Sequence, residues 1–530
     1  MSFVQSGLRR TLVQVPKLPF LCRQCTAKTS RKAQTSSLLN QSRNAFSTDS
    51  RTSRRFTSVL EARFDATSCR KTFRVSPLSL RGFSISDTRP APAPSKPLST
   101  AATAEASGIA STTYESSSSS STSSSFPDVS TKAAAYWLIA SAVSVFGIVV
   151  WGGLTRLTES GLSITEWKPV TGAMPPRNEE DWELEFARYR ASPEYARLNP
   201  NMNLEEFKKI YFMEWSHRLW GRVIGMSFVI PAVYFVARRR VTKRVAWNLL
   251  GIASLIGFQG FIGWWMVSSG LRDELFSPGA LPPRVSQYRL TTHLATAFVC
   301  YSWMLLTGLS ILRDLRVRAD PAAAAKVAST LALPALRPFR FAVMALTALV
   351  FTTVLSGALV AGLDAGLIYN EFPMMGNGIT PPRDELWDAH YSRQPDHSDL
   401  WWRNMLENPS LVQLDHRILA TTTFCAVMAL FLFSRTGRAG ALLPKNVKNG
   451  ATGVVHLVLM QATLGICTLI YMVPTHLAAT HQAGSLALLT GVLVLGHRLR
   501  MPKSSLRIIQ KYAAKGTQLP NPGPRIMLKA

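Results

Sequence analysis

With 47% hydrophobic and only 17% charged residues over 530 positions, the composition excludes an ordinary string of soluble domains, in which roughly 25% of residues are charged. Half of the net charge of +28 lies in residues 1–100, which carry eighteen Lys or Arg and four Asp or Glu, and most of the remainder flanks apolar segments. Charge placed in this way is typical of membrane topology and not of a phosphate-binding face, so nucleic-acid binding is excluded.

The first 130 residues are polar and rich in Ser and Arg, with no acidic residue before Asp49. This composition is typical of a mitochondrial transit peptide. The apolar stretches are too short for a secretory signal or a membrane span. We predict a transit peptide over residues 1–83, with cleavage near the motif RGFSIS, and a disordered Ser-rich linker over residues 84–132. Neither segment is expected to fold.

Eight apolar segments follow the linker, each close to the roughly 20 residues that a helix needs to cross a bilayer. The connections after the second, fourth and sixth segments and the C-terminal tail are basic, whereas the two long connections, 157–213 and 364–410, contain more acids than bases. By the positive-inside rule, we expect both termini in the matrix and both long loops in the intermembrane space. The segments lie at about 135–155, 215–237, 245–268, 291–312, 340–363, 411–434, 451–473 and 476–497.

The membrane body also repeats itself. GGLTRLTESGLSITEW at 152–167 matches GALVAGLDAGLIYNEF at 357–372 at a constant offset of 205 residues, and later motifs match at offsets of 188 to 202. Two four-helix halves in the same orientation are therefore expected, related by an axis along the membrane normal. The predicted fold is an all-α integral membrane protein with eight transmembrane helices in two repeated four-helix bundles. The halves are predicted at residues 133–320 and 335–500, followed by a basic matrix tail at residues 501–530.

Four of the nine histidines recur at repeat-related positions near the starts of even-numbered spans. WSHRLWGR in the second span and LDHRILA in the sixth pair His217 with His416. TTHLATA in the fourth span and ATHQAGS in the eighth pair His293 with His481. Because all these helices descend from one membrane face, each half brings two imidazoles to a similar depth on neighbouring helices. This arrangement suits a planar macrocycle whose iron binds an imidazole on each face, so we predict one heme in each half.

The remaining histidines are weaker candidates for iron ligands. His476 competes with His481, but it lies five residues earlier, ~140° around the helix and ~7.5 Å along it, so the two cannot serve one iron equally. The repeat favours His481. Each of the other four histidines lies at a different depth from the two pairs or has no counterpart in the other half.

One carboxylate breaks the symmetry of the two halves. Glu214 lies three residues before His217, on nearly the same helix face, whereas the equivalent position holds Gln413, which cannot ionise. One acid beside two similar sites suggests one reacting site and one supporting site. The alternative is that Glu214 is a helix-start residue at the surface. The candidate contacts to heme propionates, which are equally suited to interfacial anchoring, are Arg218, Arg222 and Arg417.

Together these motifs closely resemble the heme A synthase family of the mitochondrial inner membrane, and the resemblance covers the whole membrane body. It implies an oxidoreductase that converts heme O to heme A by oxidising one ring methyl to a formyl group. It also implies that His217 and His293 bind the substrate heme O beside the catalytic carboxylate of Glu214, and that His416 and His481 bind a heme b cofactor. The long loops lack the cysteine pair of some bacterial members, so the chain is similar to the cysteine-free type.

The resemblance further implies a set of partners for this protein. They are the heme O synthase that supplies the substrate, a ferredoxin-type electron-transfer system and the assembly factors of cytochrome c oxidase, with a homo-oligomer as a candidate assembly. The sequence does not distinguish water from dioxygen as the source of the inserted oxygen, and it does not fix the oligomeric state.

Two other classes of function compete with this interpretation. A diheme electron carrier of the b type, which changes no substrate, would show the same two pairs of histidines. The contrast between Glu214 and Gln413 favours chemistry in one half over simple electron transfer. A transporter would share the internal repeat, but the spans lack the Gly- or Pro-broken helices expected along a substrate path.

Overall fold

The computed structural model describes residues 126–169, 171–277 and 282–514. The predicted transit peptide, most of the linker and the end of the basic tail lie outside the described residues. Eight helices are long and apolar enough to cross a membrane, and the described part of the chain contains no β-strand, so the prediction of an all-α membrane protein with eight spans is confirmed. The helices are α1 (Lys132–Leu157), α2 (Leu204–Ala237), α3 (Lys243–Val267), α4 (Gln287–Ala319), α5 (Arg337–Leu363), α6 (Pro409–Arg435), α7 (Lys445–Ile470) and α8 (Thr475–Arg498).

The two halves meet through equivalent helix pairs. Within each half, the first helix packs against the second and the fourth, and the third helix packs against the fourth. Helix α4 of the first half packs along α5, and α8 of the second half packs along α1 in the same way. A single apolar core with buried residues from all eight helices, among them Leu138, Phe298, Leu346 and Leu486, runs through both halves. This arrangement is the one expected of a parallel internal repeat.

Helix α2 begins eleven residues before the predicted span. Asn203 caps it: its side chain accepts a hydrogen bond from the backbone N–H of Glu206 at 2.9 Å, and its own N–H donates to the Glu206 carboxylate at 3.1 Å. This reciprocal capping box satisfies two free N–H groups of the first turn. The first turns are polar, so hydropathy alone did not reveal them. As a result Glu214 lies well inside the helix, and the alternative of a helix-start residue is wrong.

The loops differ in length at the two ends of the bundle. We call the end where α1, α3, α5 and α7 finish the long-loop face, because it carries the connections 158–203 and 364–408, and the opposite end the short-loop face. The first long loop folds into helices Glu179–Arg190 and Pro193–Leu198, which pack on the start of α2 through a cluster of aromatic rings. The buried members of this cluster are Phe186, Tyr189, Phe207 and Tyr211.

At the short-loop face the chain is structured beyond the predicted halves. Ser130 accepts a hydrogen bond from the N–H of Thr242 at 3.0 Å, and the N–H of Thr131 donates to the carbonyl of Arg240 at 3.0 Å. The disordered linker was therefore predicted a few residues too far. The basic tail also begins with a helix, Lys503–Ala514, that packs on α4.

Candidate functional site

The histidines of the second helix in each half lie against a glycine of the first helix. A Cβ atom placed on Gly152 of α1 would lie 2.7 Å from Cε1 of His217, and one on Gly357 of α5 would lie 3.1 Å from Cε1 of His416. These two glycines are related by the 205-residue offset of the repeat. Each imidazole therefore fits its place only because the neighbouring residue has no side chain.

The same contact recurs between the third and fourth helices. A Cβ on Gly263 of α3 would lie 3.5 Å from Cε1 of His293, and one on Gly465 of α7 would lie 2.8 Å from Cε1 of His481. All four glycines lie four to six residues before the ends of their helices at the long-loop face, which is about 6–9 Å at 1.5 Å per residue. The structure thus brings the four predicted ligands to one depth, between about one and two helical turns inside the long-loop face.

Within each half, the two imidazoles lie in electrostatic range of each other, His217 with His293 and His416 with His481. Among the residues that the structure describes, no group of three or more His, Cys, Asp or Glu side chains could hold a bare metal ion. Two imidazoles are the right number for an iron whose four equatorial ligands come from a porphyrin. The residues present therefore fit one heme in each half.

The ligand pairs differ in what holds their Nδ1 atoms. In the second half, Ser356 Oγ lies 2.7 Å from Nδ1 of His416, and the side-chain amide of Gln461 lies 3.1 Å from Nδ1 of His481. In the first half, the Nδ1 atoms of His217 and His293 are buried and have no hydrogen-bond partner in the described part of the chain. A partner at Nδ1 fixes the orientation and tautomer of a metal-bound imidazole, so only the second pair is fixed in this way.

Glu214 is buried, with 3% of the residue exposed. One carboxylate oxygen accepts hydrogen bonds from Ser163 Oγ at 2.7 Å and the N–H of Ile164 at 2.8 Å. The other accepts from Nη2 and Nε of Arg218 at 2.6 and 3.0 Å. Four donors match a carboxylate, which offers only acceptors. Gln413, at the equivalent position, instead donates to a backbone carbonyl at 2.9 Å.

An arginine directly follows the ligand histidine on the second helix of each half: Arg218 follows His217, and Arg417 follows His416. Both arginines donate hydrogen bonds to the segment that follows the first helix of their half. Arg218 donates to the carbonyls of Ile164 and Glu166 at 2.9 and 3.1 Å. Arg417 donates to the repeat-related carbonyls, those of Tyr369 and Glu371 at 3.1 and 2.9 Å, and to two others. These contacts occupy most of the guanidinium donors that were predicted to be available to heme propionates.

Arg222 retains an unused donor. Its Nε and Nη2 donate to the carbonyls of Pro169 and Lys168 at 2.9 and 2.8 Å. Its Nη1 is buried without a hydrogen-bond partner among the described residues. A buried guanidinium donor without a partner is uncommon, and a carboxylate ligand would satisfy it.

The other histidines lie apart from the two pairs. His476 is exposed at the start of α8. The imidazoles of His476 and His456 form no hydrogen bond or ion pair within the described ranges, and only the carbonyl of His476 accepts a side-chain hydrogen bond, from Thr480 Oγ1 at 2.7 Å. His497 contacts Arg313 at the short-loop end, where its Nδ1 lies 2.9 Å from the guanidinium. His390 and His397 lie in the second long loop.

Two serines that support the site were not predicted from the sequence. Ser163 supports Glu214, and Ser356 supports His416. Both break the repeat, because the positions related to them by the offset of 205 hold Ile368 and Trp151. The comparison of halves that singled out Glu214 could therefore have found them as well.

Several known proteins match the membrane body of this chain. Residues 135–493 match the family model COX15-CtaA, described as "Cytochrome oxidase assembly protein". Heme A synthase COX15 of Saccharomyces cerevisiae is 51% identical over 378 residues, which cover 71% of this chain and 77% of the relative. Heme A synthase COX15 of Homo sapiens is 43% identical over 373 residues, or 70% of this chain and 84% of the relative.

A third relative carries a second protein on the same chain. The heme A synthase-mitochondrial ferredoxin fusion protein of Schizosaccharomyces pombe is 49% identical over 388 residues, which cover 72% of this chain and 62% of that protein. The family model matches more than half of the sequence, and the relatives match the membrane body at high identity. The chain therefore belongs to the heme A synthase family of cytochrome oxidase assembly proteins.

Proposed function

We propose that this protein converts heme O to heme A in the mitochondrial inner membrane, by oxidising one ring methyl of the porphyrin to a formyl group. The observation that carries the proposal is the asymmetry of two otherwise equivalent histidine pairs. Among the described residues, the first pair has a fully buried carboxylate, Glu214, about one helical turn from a ligand, whereas the acid beside His416, Asp415, is only partly buried. Expression of the chain in cells that lack their own heme A synthase tests the proposal: heme A should reappear, and its continued absence would contradict the activity.

The two halves take different hemes in this proposal. Heme O, the substrate, binds between His217 and His293, whose Nδ1 atoms have no partner among the described residues. Heme b is held by His416 and His481, whose Nδ1 atoms are hydrogen-bonded. Fixed imidazoles suit a permanent cofactor, whereas less restrained ones suit a substrate that must enter and leave. Heme b, when bound, supplies a one-electron redox centre.

Glu214 acts as the base in the proposed mechanism. An iron bound by both His217 and His293 has no open position, so the simpler route removes electrons from the ring methyl, and water traps the resulting cationic carbon. Glu214 takes the proton that the methyl loses. A second round gives a diol, which loses water to form the aldehyde. Overall, the methyl and one water become a formyl group with the release of four electrons and four protons.

Two contacts at the long-loop face complete the proposed site. Arg222 donates its free Nη1 to a propionate of the substrate. Arg218 instead pairs with Glu214 and holds that carboxylate against the segment that follows α1. Arg417 likewise keeps a buried Nε without a hydrogen-bond partner among the described residues. Arg222 and Arg417 are therefore the candidates for propionate contact, while Arg218 serves chiefly to position this face of the bundle.

A ferredoxin-type protein exchanges the electrons in this proposal. The S. pombe relative joins a heme A synthase to a mitochondrial ferredoxin in one chain, which supports such a partner. The heme O synthase that supplies the substrate and the assembly factors of cytochrome c oxidase are the other partners we propose.

The long-loop face should lie in the intermembrane space, because the basic connections lie at the opposite end of the bundle. In mitochondria with an opened outer membrane, added protease should cut the loop around Glu179–Asp181 and leave Arg238–Arg244 intact. Immunoblotting of the fragments measures this. Cleavage within Arg238–Arg244 with an intact first loop would reverse the orientation and place the histidine pairs on the matrix side.

Substitution of Gly152 by alanine should impair the first heme site alone. The added Cβ would lie 2.7 Å from Cε1 of His217, so the imidazole must shift, and we expect heme O binding to fall while heme b is retained. Gly257→Ala is the matched control, since a Cβ there meets nothing within 4 Å. Extraction of the bound hemes and their mass spectra measure both sites. Equal heme O in the two variants would show that the Gly152 contact does not position His217.

A further inference from the structure

A second carboxyl group is buried near the first heme site. Glu194 belongs to the short helix Pro193–Leu198 of the first long loop, and only 3% of the residue is exposed. Its Oε2 has no hydrogen-bond partner in the described part of the chain, although the group interacts with the side chain of Tyr189. An unpaired carboxyl oxygen in such a place is costly unless it has a role.

Glu194 lines a small cavity at the long-loop face. The cavity has a volume of about 40 Å³ and is bordered by Glu194, Arg156, Glu159 and Arg284, which is room for at least one water molecule. Arg156 and Arg284 each form an ion pair with Asp364, at 2.9 and 2.6 Å, so their side chains are fixed at the cavity wall. Glu159 is exposed, so the cavity reaches the surface of the protein.

Glu214 lies within electrostatic range of Glu194. Leu162 forms part of the cavity wall, and the next residue, Ser163, is buried and donates its hydroxyl hydrogen bond to Glu214 at 2.7 Å. Burial, followed by the negative charges of Glu214 and Glu159, raises the pKa of Glu194 to about 8, against smaller opposing effects of Tyr189 and Arg156. A group that titrates near the working pH both accepts and releases protons readily.

We propose that Glu194 carries protons from Glu214 through this cavity to the solvent at the long-loop face. The inference rests on the proposed function, in which Glu214 receives the proton released when a C–H bond of the ring methyl breaks, while the electrons leave to the ferredoxin-type partner. Glu214 is itself buried and ringed by four donors, so it needs a second group to return to its carboxylate form. Glu194 acts through Glu214 and does not touch the substrate.

Two substitutions of Glu194 separate proton transfer from a packing role. Glu194→Gln keeps the size and the hydrogen bonding of the side chain but cannot carry a proton, and it should lower the rate of heme A formation at least about tenfold. Glu194→Asp keeps the acid but fills the site less well, and it should retain most of the rate. A residue needed only for packing would show the opposite order. Glu180→Gln, an exposed acid in the neighbouring helix, is the control.

The pH profile gives a second readout, measured as heme A formed from heme O by membranes that carry each variant, between about pH 6.5 and about pH 8.5. The form of Glu194 that accepts a proton increases as pH rises through about 8, so the wild-type rate should rise across this range and the Glu194→Gln rate should stay flat. A normal rate and profile in Glu194→Gln would overturn the inference. Failure of the proposed function would look different, because the wild-type membranes themselves would then form no heme A.

Discussion

Glu214→Gln should abolish heme A formation while the protein still folds and binds heme b. The substitution keeps the size of the side chain but removes the proposed base, and general-base catalysis is typically worth ~10²–10⁴-fold. Heme O, or the alcohol formed after the first round, should accumulate in its place. Heme extraction and mass spectrometry of cells that express the variant measure the products, and the absorbance of heme b reports on the integrity of the second half.

A control is needed because Glu214 also forms an ion pair with Arg218, and loss of one partner from a buried pair commonly costs about 3–5 kcal/mol. Arg218→Gln breaks the same pair but leaves the carboxylate in place. If Glu214 acts as the base, Arg218→Gln should keep measurable heme A and Glu214→Gln should not. Normal heme A with Glu214→Gln would remove the catalytic role, and equal loss in both variants would assign Glu214 to structure alone.

Replacement of either ligand in the second half should remove heme b almost completely. His416→Ala and His481→Ala each delete one of two axial ligands, and no histidine outside the two pairs lies at this depth among the described residues. Ser356→Ala should have a smaller effect, because it removes only the partner of Nδ1 on His416; losses of this kind typically lower metal affinity about 10–100-fold. Absorbance spectra of the purified variants measure bound heme b.

His456→Ala and His476→Ala serve as controls for this series and should leave heme b unchanged. His456 is exposed on α7, and His476 is exposed at the start of α8 rather than against Gly465. If His476→Ala removes heme b while His481→Ala does not, the alignment of α8 with α4 is wrong, and the fourth ligand must be reassigned.

The eight spans and their repeat could be predicted from the sequence because both depend on local composition. A helix that crosses a bilayer must be apolar over about 20 residues whatever it packs against. The internal repeat allowed the two halves of the chain to be compared with each other, and four of the nine histidines lie at repeat-related positions. The same comparison singled out Glu214, since Gln413 occupies the equivalent place.

Features that depend on particular side-chain contacts, and not on the mean composition of a segment, could not be predicted in this way. Hydropathy places the start of α2 at residue 215, whereas the capping box of Asn203 and Glu206 starts the helix at Leu204. Arg218 was named only as a candidate contact to a propionate or as an interfacial anchor, and its ion pair with Glu214, four residues earlier on the same helix, was not predicted. The burial of Glu194 depends on contacts of the first long loop with the end of α1 and with the connection between α3 and α4, which no pattern in that loop reveals.

The identity of the hemes in the purified membrane protein, determined by mass spectrometry, tests the proposed function most sharply. We expect two different hemes: heme b, together with heme O or its hydroxylated or formylated products. In His217→Ala the second group should disappear while heme b remains. Two equivalents of heme b, with neither heme O nor an oxidised derivative, would contradict the account and identify the protein as a diheme electron carrier.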